Sequence, residues 1–315
     1  MSTAIQVATA NDTFVHEGLF YHDDDDYLAG TVPFVAGALA AGEPVLVAVP
    51  GPNLERIRTA LGPYAAGVRF ADMTRAGRNP GRIIPWVLNA FITEHPGRHP
   101  YIIGEPIWAG RSADEYPACA QHEALINAAF TGRPATILCP YDASRLTARV
   151  LADAHATHPI LVERGARRPS PEYAPLDIVA GYNRPLPVPD GPVVTREFED
   201  AQALAALREL VAAEGRLVGL AGDRIADLQI AITELATNSL THAGTGGVVR
   251  VWRTGDELVC EVQDRGKLTN PMAGRLPPPP TSPGGRGLLI VNHLCDLVRI
   301  HADDDSCTVR MHFRR

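Results

Sequence analysis

Glu234 and Asn238 pair a carboxylate with a carboxamide one turn apart in the stretch Glu234-Leu-Ala-Thr-Asn238-Ser-Leu-Thr-His242, whose spacing predicts a helix beginning near Asp223. Ile225, Leu228, Ile232, Leu235 and Ala236 fall on one arc of that helix; Arg224, Asp227, Glu234, Asn238 and His242 fall on the opposite arc. On periodicity alone a solvated helix face is the better account of this pattern, and only the residues C-terminal to it favour chemistry. Downstream come a strand pair ending in Asp264-Arg-Gly266, a proline-rich segment, and Gly284-Gly285-Arg286-Gly287-Leu288 opening an apolar helix. An asparagine oxygen suits Mg²⁺, which takes oxygen ligands. Backbone N–H groups at a glycine-rich helix start approach phosphates closely. Together these residue types form a kit for a nucleotide and a divalent cation.

In this order the pieces resemble the GHKL ATPase superfamily, and within it the anti-sigma-factor serine kinase branch, over about residues 193–315. The resemblance rests on the Glu-x-x-x-Asn helix with its Asn-Ser-Leu-Thr-His-Ala ending, on Asp264-x-Gly266 and on the glycine cluster. It implies ATP and Mg²⁺ as cofactors, with Asn238 on the metal and Glu234 as general base. It also implies Asp264 at the adenine amino group with Gly266 beside it, and Gly284, Gly285, Arg286 and Gly287 at the phosphates. The chain departs from the family where the first glycine box continues Gly266-Lys267-Leu268 in place of a second glycine. His242 is expected to order the helix end.

The elements needed to hold these residues can be read on either side of them. Val193 to Phe198 reads as an edge strand, Ala201 to Glu214 as a helix, and Gly247–Arg253 with Glu257–Asp264 as a hairpin around Thr254-Gly255-Asp256. Gly287 to Leu294 reads as a helix, and Leu297–His301 with Thr308–Phe313 as a second hairpin. Helices on one face of an antiparallel sheet make an α+β two-layer sandwich. The resemblance implies that the segment from Lys267 to Pro283, otherwise a surface loop, lies over the nucleotide as a lid.

The totals fit a two-domain globular protein: 315 residues, 45% hydrophobic, formal charge −7. That charge, without a basic stripe, argues against direct nucleic-acid binding. Cys119, Cys139, Cys260, Cys295 and Cys307 are scattered with no C-x-x-C pair, which reads as reduced thiols in a cytoplasmic protein and offers no zinc signature. No secretory signal is read at the N-terminus, and the longest apolar runs, Val32–Ala41 and Val45–Val49, are too short to span a bilayer.

The first half, residues 14–165 after a tail at 1–13, alternates helix and strand patterns. Strands are expected at Pro44–Val49, Val68–Phe70, Tyr101–Glu105 and Ala135–Cys139. Helices are expected at Tyr27–Ala41, Asn53–Leu61, Arg82–Glu94, Asp114–Phe130 and Ser144–His155. This pattern predicts an α/β fold with a parallel sheet. Asp23 to Asp26 read as an acidic helix start rather than a metal site. Ligands in such sheets sit at the carboxyl ends of strands, yet Gly51-Pro52-Asn53-Leu54 cannot make a phosphate loop. His16-Glu-Gly-Leu-Phe20-Tyr21, Glu105-Pro-Ile-Trp108, His122-Glu123 and Cys139-Pro-Tyr141-Asp142 resemble the MEDS sensory domain, which implies a RecA-like core without its phosphate loop. On that resemblance Glu105, Trp108, His122, Glu123 and Tyr141 are the expected lining of a small-molecule pocket. Residues 166–192 read as a proline-rich linker, with Arg164–Arg168 as a solvated helix end.

The resemblance implies two alternative functions. One is an anti-sigma regulatory protein whose kinase domain phosphorylates a serine or threonine on an anti-anti-sigma partner of the STAS type, or sequesters a sigma factor, under sensory control in stress signalling and transcription regulation. The other is an inactive module that holds its partner without phosphoryl transfer. A homodimer is implied by likeness alone.

Overall fold

The computed structural model describes residues 13–279, 281–282 and 284–315. The expected N-terminal tail up to residue 12, and Pro280 and Pro283 of the expected lid, lie outside the described residues. Two compact units form, Met1–Tyr182 and Asn183–Arg315.

The first unit runs β1 (Phe14–Tyr21), α1 (Asp24–Ala40), β2 (Val45–Val49), α2 (Gly51–Leu61), β3 (Val68–Asp72) and α3 (Met73–Ala76). Helical turns over Pro80–Leu88 then lead into α4 (Asn89–Thr93). After these come β4 (Tyr101–Gly104), α5 (Tyr116–Phe130), β5 (Ala135–Asp142), α6 (Ala148–Thr157), β6 (Ile160–Glu163), β7 (Ala166–Pro169) and α7 (Pro175–Gly181). The strands order as β3-β2-β4-β5-β1-β6-β7. All pairings are parallel except β6 with β7. Every residue of β2 is buried, as a strand covered by helices on both faces requires. Asp23 caps α1 by accepting from the Asp26 N–H at 2.8 Å, with Asp24, Asp25 and Asp26 in the first turn. The aspartates are thus engaged in capping and in offsetting the helix dipole.

Three features differ from expectation. Phe14–Tyr21 is a strand next to the middle of the sheet, between β5 and β6. Its almost unbroken burial removes the alternation by which a half-exposed strand is recognised. Arg164–Arg168 is a hairpin and not a helix end: Arg164 and Gly165 both take positive φ, 48° and 77°, as a two-residue type I′ turn demands. It adds β7 as an antiparallel edge to the otherwise parallel sheet. The stretch read as a linker supplies β7 and α7 to the first unit; Pro175 starts α7, where a missing N–H costs nothing.

The second unit runs β8 (Val194–Phe198), α8 (Ala203–Leu217), α9 (Gly222–Asn238), β9 (Gly247–Thr254), β10 (Glu257–Asp264), α10 (Gly287–Leu294), β11 (Leu297–Ala302) and β12 (Cys307–Arg314). Its sheet, β11-β12-β10-β9-β8, is antiparallel throughout. Leu207 and Val211 of α8, Leu228, Ile232 and Leu235 of α9 and Val291 of α10 share one core with Val251, Cys260, Met311 and Phe313 of the sheet. Alternate sheet residues form a charged row: Glu261 lies in register between Arg250 and Arg310 and bonds them at 3.1 and 2.7 Å. Opposite charges facing one another across strands support this register. The two-layer α+β sandwich is therefore as the sequence predicts.

Candidate functional site

In the second unit the candidate residues come from α9, the end of β10 and the start of α10. Helix α9 buries Leu228, Ala231, Ile232, Leu235 and Ala236 and leaves Glu234 and Asn238 partly exposed on its other face. Among the described residues neither of these two side chains makes a hydrogen bond. Beyond Asn238 the helix widens into a π turn, Ser239–Ala243, closed by Gly244 at φ 69°. Such turns break the regular ladder and recur at functional sites.

The start of α10 comes up against this face. A Cβ at Gly287 would stand 3.0 Å from Asn238 Nδ2, 3.0 Å from Glu234 Oε2 and 3.2 Å from Asn238 Oδ1. A glycine avoids the crowding that a side chain would bring to this approach. Helix α10 has no side-chain cap, so its first N–H groups point outward unsatisfied by the helix, the arrangement that attracts anions.

Asp264 is held at two points. Its Oδ1 accepts from the Gly266 N–H at 2.7 Å, and its Oδ2 accepts from the Ser239 hydroxyl at 2.5 Å. Gly266 is buried, and a Cβ there would meet Asp264 Oδ1 at 2.9 Å. Ser239, next to Asn238, is absent from the residues singled out by sequence; its burial against the carboxylate reveals its role in orienting Asp264. The Arg286 guanidinium donates to the carbonyls of Ser282 at 3.0 Å and Pro279 at 3.4 Å, and so braces the proline-rich segment. Lys267, at the departure from the glycine box, reaches Asp304 at 3.8 Å. His242 is exposed. A cavity of about 530 Å³ touches Asp264 and is lined besides by Glu197, Gly246, Gln263 and Asp305.

In the first unit the residues expected to line one pocket bond different partners. Glu105, just after β4, is 2% exposed. It accepts from Asn53 Nδ2 at 3.0 and 2.8 Å and from the Tyr27 hydroxyl at 3.4 Å. Burial pushes its carboxyl up to about 8. Trp108 instead lies under the Arg111 guanidinium at 4.0 Å. Glu123 and Tyr141 do meet, with the Tyr141 hydroxyl donating to Glu123 Oε2 at 3.1 Å, and His122 Nε2 is 3.9 Å from Glu123 Oε1.

Glu105 carries a prediction. A carboxyl whose folded pKa lies above its unfolded 4.5 costs the folded state stability as pH rises from about 4.5 to about 8. By linkage this amounts to at most about 5 kcal/mol. Glu105→Gln should flatten the melting temperature of this unit between pH 5 and 8 and raise it at pH 8. A wild-type profile already flat over that range excludes the buried neutral acid.

Residues 15–159 match the family model described as MEDS, the methanogen/methylotroph DcmR sensory domain, and residues 198–313 match that of the histidine kinase-like ATPase domain. One stretch of the chain thus matches each model, the MEDS model in the first unit and the histidine kinase-like ATPase model in the second. Among solved structures it is similar to the RsbU and RsbW domains of a Mycobacterium tuberculosis protein. The identity is 20%, over 39% of this chain and 32% of that one, with a TM-score of 0.30. The match thus spans about a third of that chain's length. No curated protein matches this sequence.

Proposed function

We propose that the second unit binds ATP with Mg²⁺ and transfers phosphate to a serine or threonine of a partner protein, as an anti-sigma regulator of the STAS-partnered type. The approach of Gly287 to Glu234 and Asn238 is the observation that carries this reading. It sets an uncapped helix start, a carboxylate and a carboxamide around one point. These residues fit the pair of ligands: the open N–H groups of α10 suit phosphate, the Asn238 oxygen suits a hard cation, and the doubly anchored Asp264 keeps lone pairs for an amino group.

In this scheme Asn238 holds Mg²⁺, which when bound offsets phosphate charge. Gly285, Gly287 and the first turn of α10 hold the phosphates, and Gly284 lets the loop reach them. Arg286 positions the loop through Ser282 and Pro279. Asp264 accepts from the adenine amino group, with Ser239 and Gly266 fixing its plane. Glu234 takes the proton from the attacking hydroxyl, a role open to a positioned carboxylate. The sigma factor and anti-anti-sigma protein as partners rest on the likeness of the α9 motif, and sensory control rests on the joined MEDS domain.

Lys267 favours a second reading, a module that holds its partner without phosphoryl transfer, because a second glycine is missing where the phosphate loop begins. Calorimetry of the intact chain with ATP and Mg²⁺, followed by incubation with labelled ATP and a STAS-type protein, separates the two. Binding with transfer supports the kinase; binding without transfer supports the module; no binding removes both nucleotide-dependent forms.

A further inference from the structure

Four side chains from distant parts of the sequence converge in the first unit: His16 on β1, Glu123 on α5, Cys139 on β5 and His158 just after α6. Each is at most 1% exposed, and one ligand atom from each lies within 4.8 Å of all the others. His16 Nε2 is 3.4 Å from Cys139 Sγ and 3.7 Å from Glu123 Oε2; His158 Nε2 is 3.0 Å from Glu123 Oε2; Cys139 Sγ is 3.9 Å from Glu123 Oε1. A tetrahedral ion with bonds of about 2.0–2.3 Å has edges of roughly 3.3–3.8 Å. The four separations above, 3.0–3.9 Å, bracket that range.

The outer partners fix the tautomers. His16 Nδ1 is 3.1 Å from Asn127 Oδ1, and Asn127 Nδ2 donates to the Thr157 carbonyl at 2.8 Å. The amide oxygen therefore faces the ring, and His16 Nδ1 must carry the hydrogen. His158 Nδ1 is 2.8 Å from the Ala154 carbonyl, so it too must be N–H. Both Nε2 lone pairs are thereby aimed at the same point as the carboxylate and the sulfur. Although it lies 3.0 Å from Glu123 Oε2, the buried Nε2 of His158 makes no hydrogen bond in this geometry, which leaves a polar nitrogen without a partner where an ion would supply one. Histidines anchored through the far nitrogen to a carbonyl or amide are the usual supports of metal ligands.

We infer that His16, Glu123, Cys139 and His158 bind a divalent transition-metal ion of the zinc class. Charge balance supports the divalent state: a thiolate, a carboxylate and two neutral imidazoles around a 2+ ion sum to zero, which burial requires. Binding displaces the thiol proton of Cys139 to solvent as the sulfur–metal bond forms. The mixed N, S and O set suits zinc and disfavours magnesium or calcium. Four protein ligands close the site, so the ion ties β1 and β5 to α5 and the end of α6. A C-x-x-C search cannot find such a site, because its ligands are contributed singly by separate elements.

The test uses the full chain stripped with a chelator and reloaded with Co²⁺ in excess Mg²⁺ and without nucleotide, so that the α9 site does not report. The expected result is about one tightly held Co²⁺ per chain, with a thiolate charge-transfer band and the intense visible bands of a tetrahedral ion. In Cys139→Ser the charge-transfer band should vanish. Asn127→Ala, which releases the positioning bond to His16, should weaken binding about tenfold to a hundredfold. Where a variant fails to fold, X-ray absorption of the zinc-loaded wild type decides, with one sulfur and three lighter neighbours expected. Failure of the wild type to retain metal, a cobalt spectrum without sulfur character, or a charge-transfer band that persists in Cys139→Ser overturns the site.

Discussion

Replacing Glu234 with alanine should lower phosphoryl transfer by roughly 10²–10⁴-fold while leaving affinity for ATP and Mg²⁺ nearly unchanged. The side chain is partly exposed and bonds to nothing among the described residues, so its removal strands no partner and leaves the core of α9 intact. The Gly287 backbone loses only a neighbour. Asn238→Ala should do the reverse, removing affinity for the metal-bound nucleotide at the outset. Single-turnover transfer with labelled ATP, read beside calorimetry, gives both numbers. Equal loss of binding in the two variants would show that Glu234 shapes the cleft rather than moving a proton.

The second large effect concerns stability. Gly246→Ala should destabilise the second unit by about 3 kcal/mol or more, lowering its melting temperature by roughly 10 °C or more. Gly246 takes φ 69°, and a Cβ there would stand 1.9 Å from the Phe198 carbonyl oxygen and 2.7 Å from the Glu199 Cα. These are backbone atoms at the end of β8 and cannot swing aside. Gly255, in the β9–β10 turn, has a similar φ of 59° but open space around its Cβ position. Gly255→Ala should therefore cost only the left-handed strain, about 1–2 kcal/mol. Similar losses in both variants, measured by calorimetric melting, would mean that the close approach to β8 contributes nothing.

The second unit is legible in the sequence because its signals are local. The polar arc of α9, the Asp-x-Gly after a strand and the glycines before α10 each sit within a few residues, and the turns at 254–256 and 303–305 are marked by Gly and Asp. Ser239 escapes notice because a serine beside an asparagine has no periodic signature; only the fold brings Asp264 to it. In the first unit the alternation of helix and strand is readable, but β1 is not, since His16 and Glu17, both buried in the fold, interrupt its apolar run. The hairpin at Arg164–Gly165 is hidden by its charge, which resembles a solvated helix end. Sequence order places Glu105, Trp108 and Glu123 near element ends but does not say which partners each bonds: Asn53 and Tyr27 for Glu105, Arg111 for Trp108, Tyr141 for Glu123. His16, Cys139 and His158 carry no mutual spacing at all.

The place of β1 in its sheet has a consequence for synthesis. Phe14 pairs with Ala135, and Glu17 pairs with both Leu138 and Ile160, so this strand, once synthesised, finds neither neighbour until nearly the whole unit has emerged. Closure over such long loops is slow, and until then an apolar strand with two open edges waits in solution. Nascent chains halted before β5 should therefore be the ones that chaperones capture.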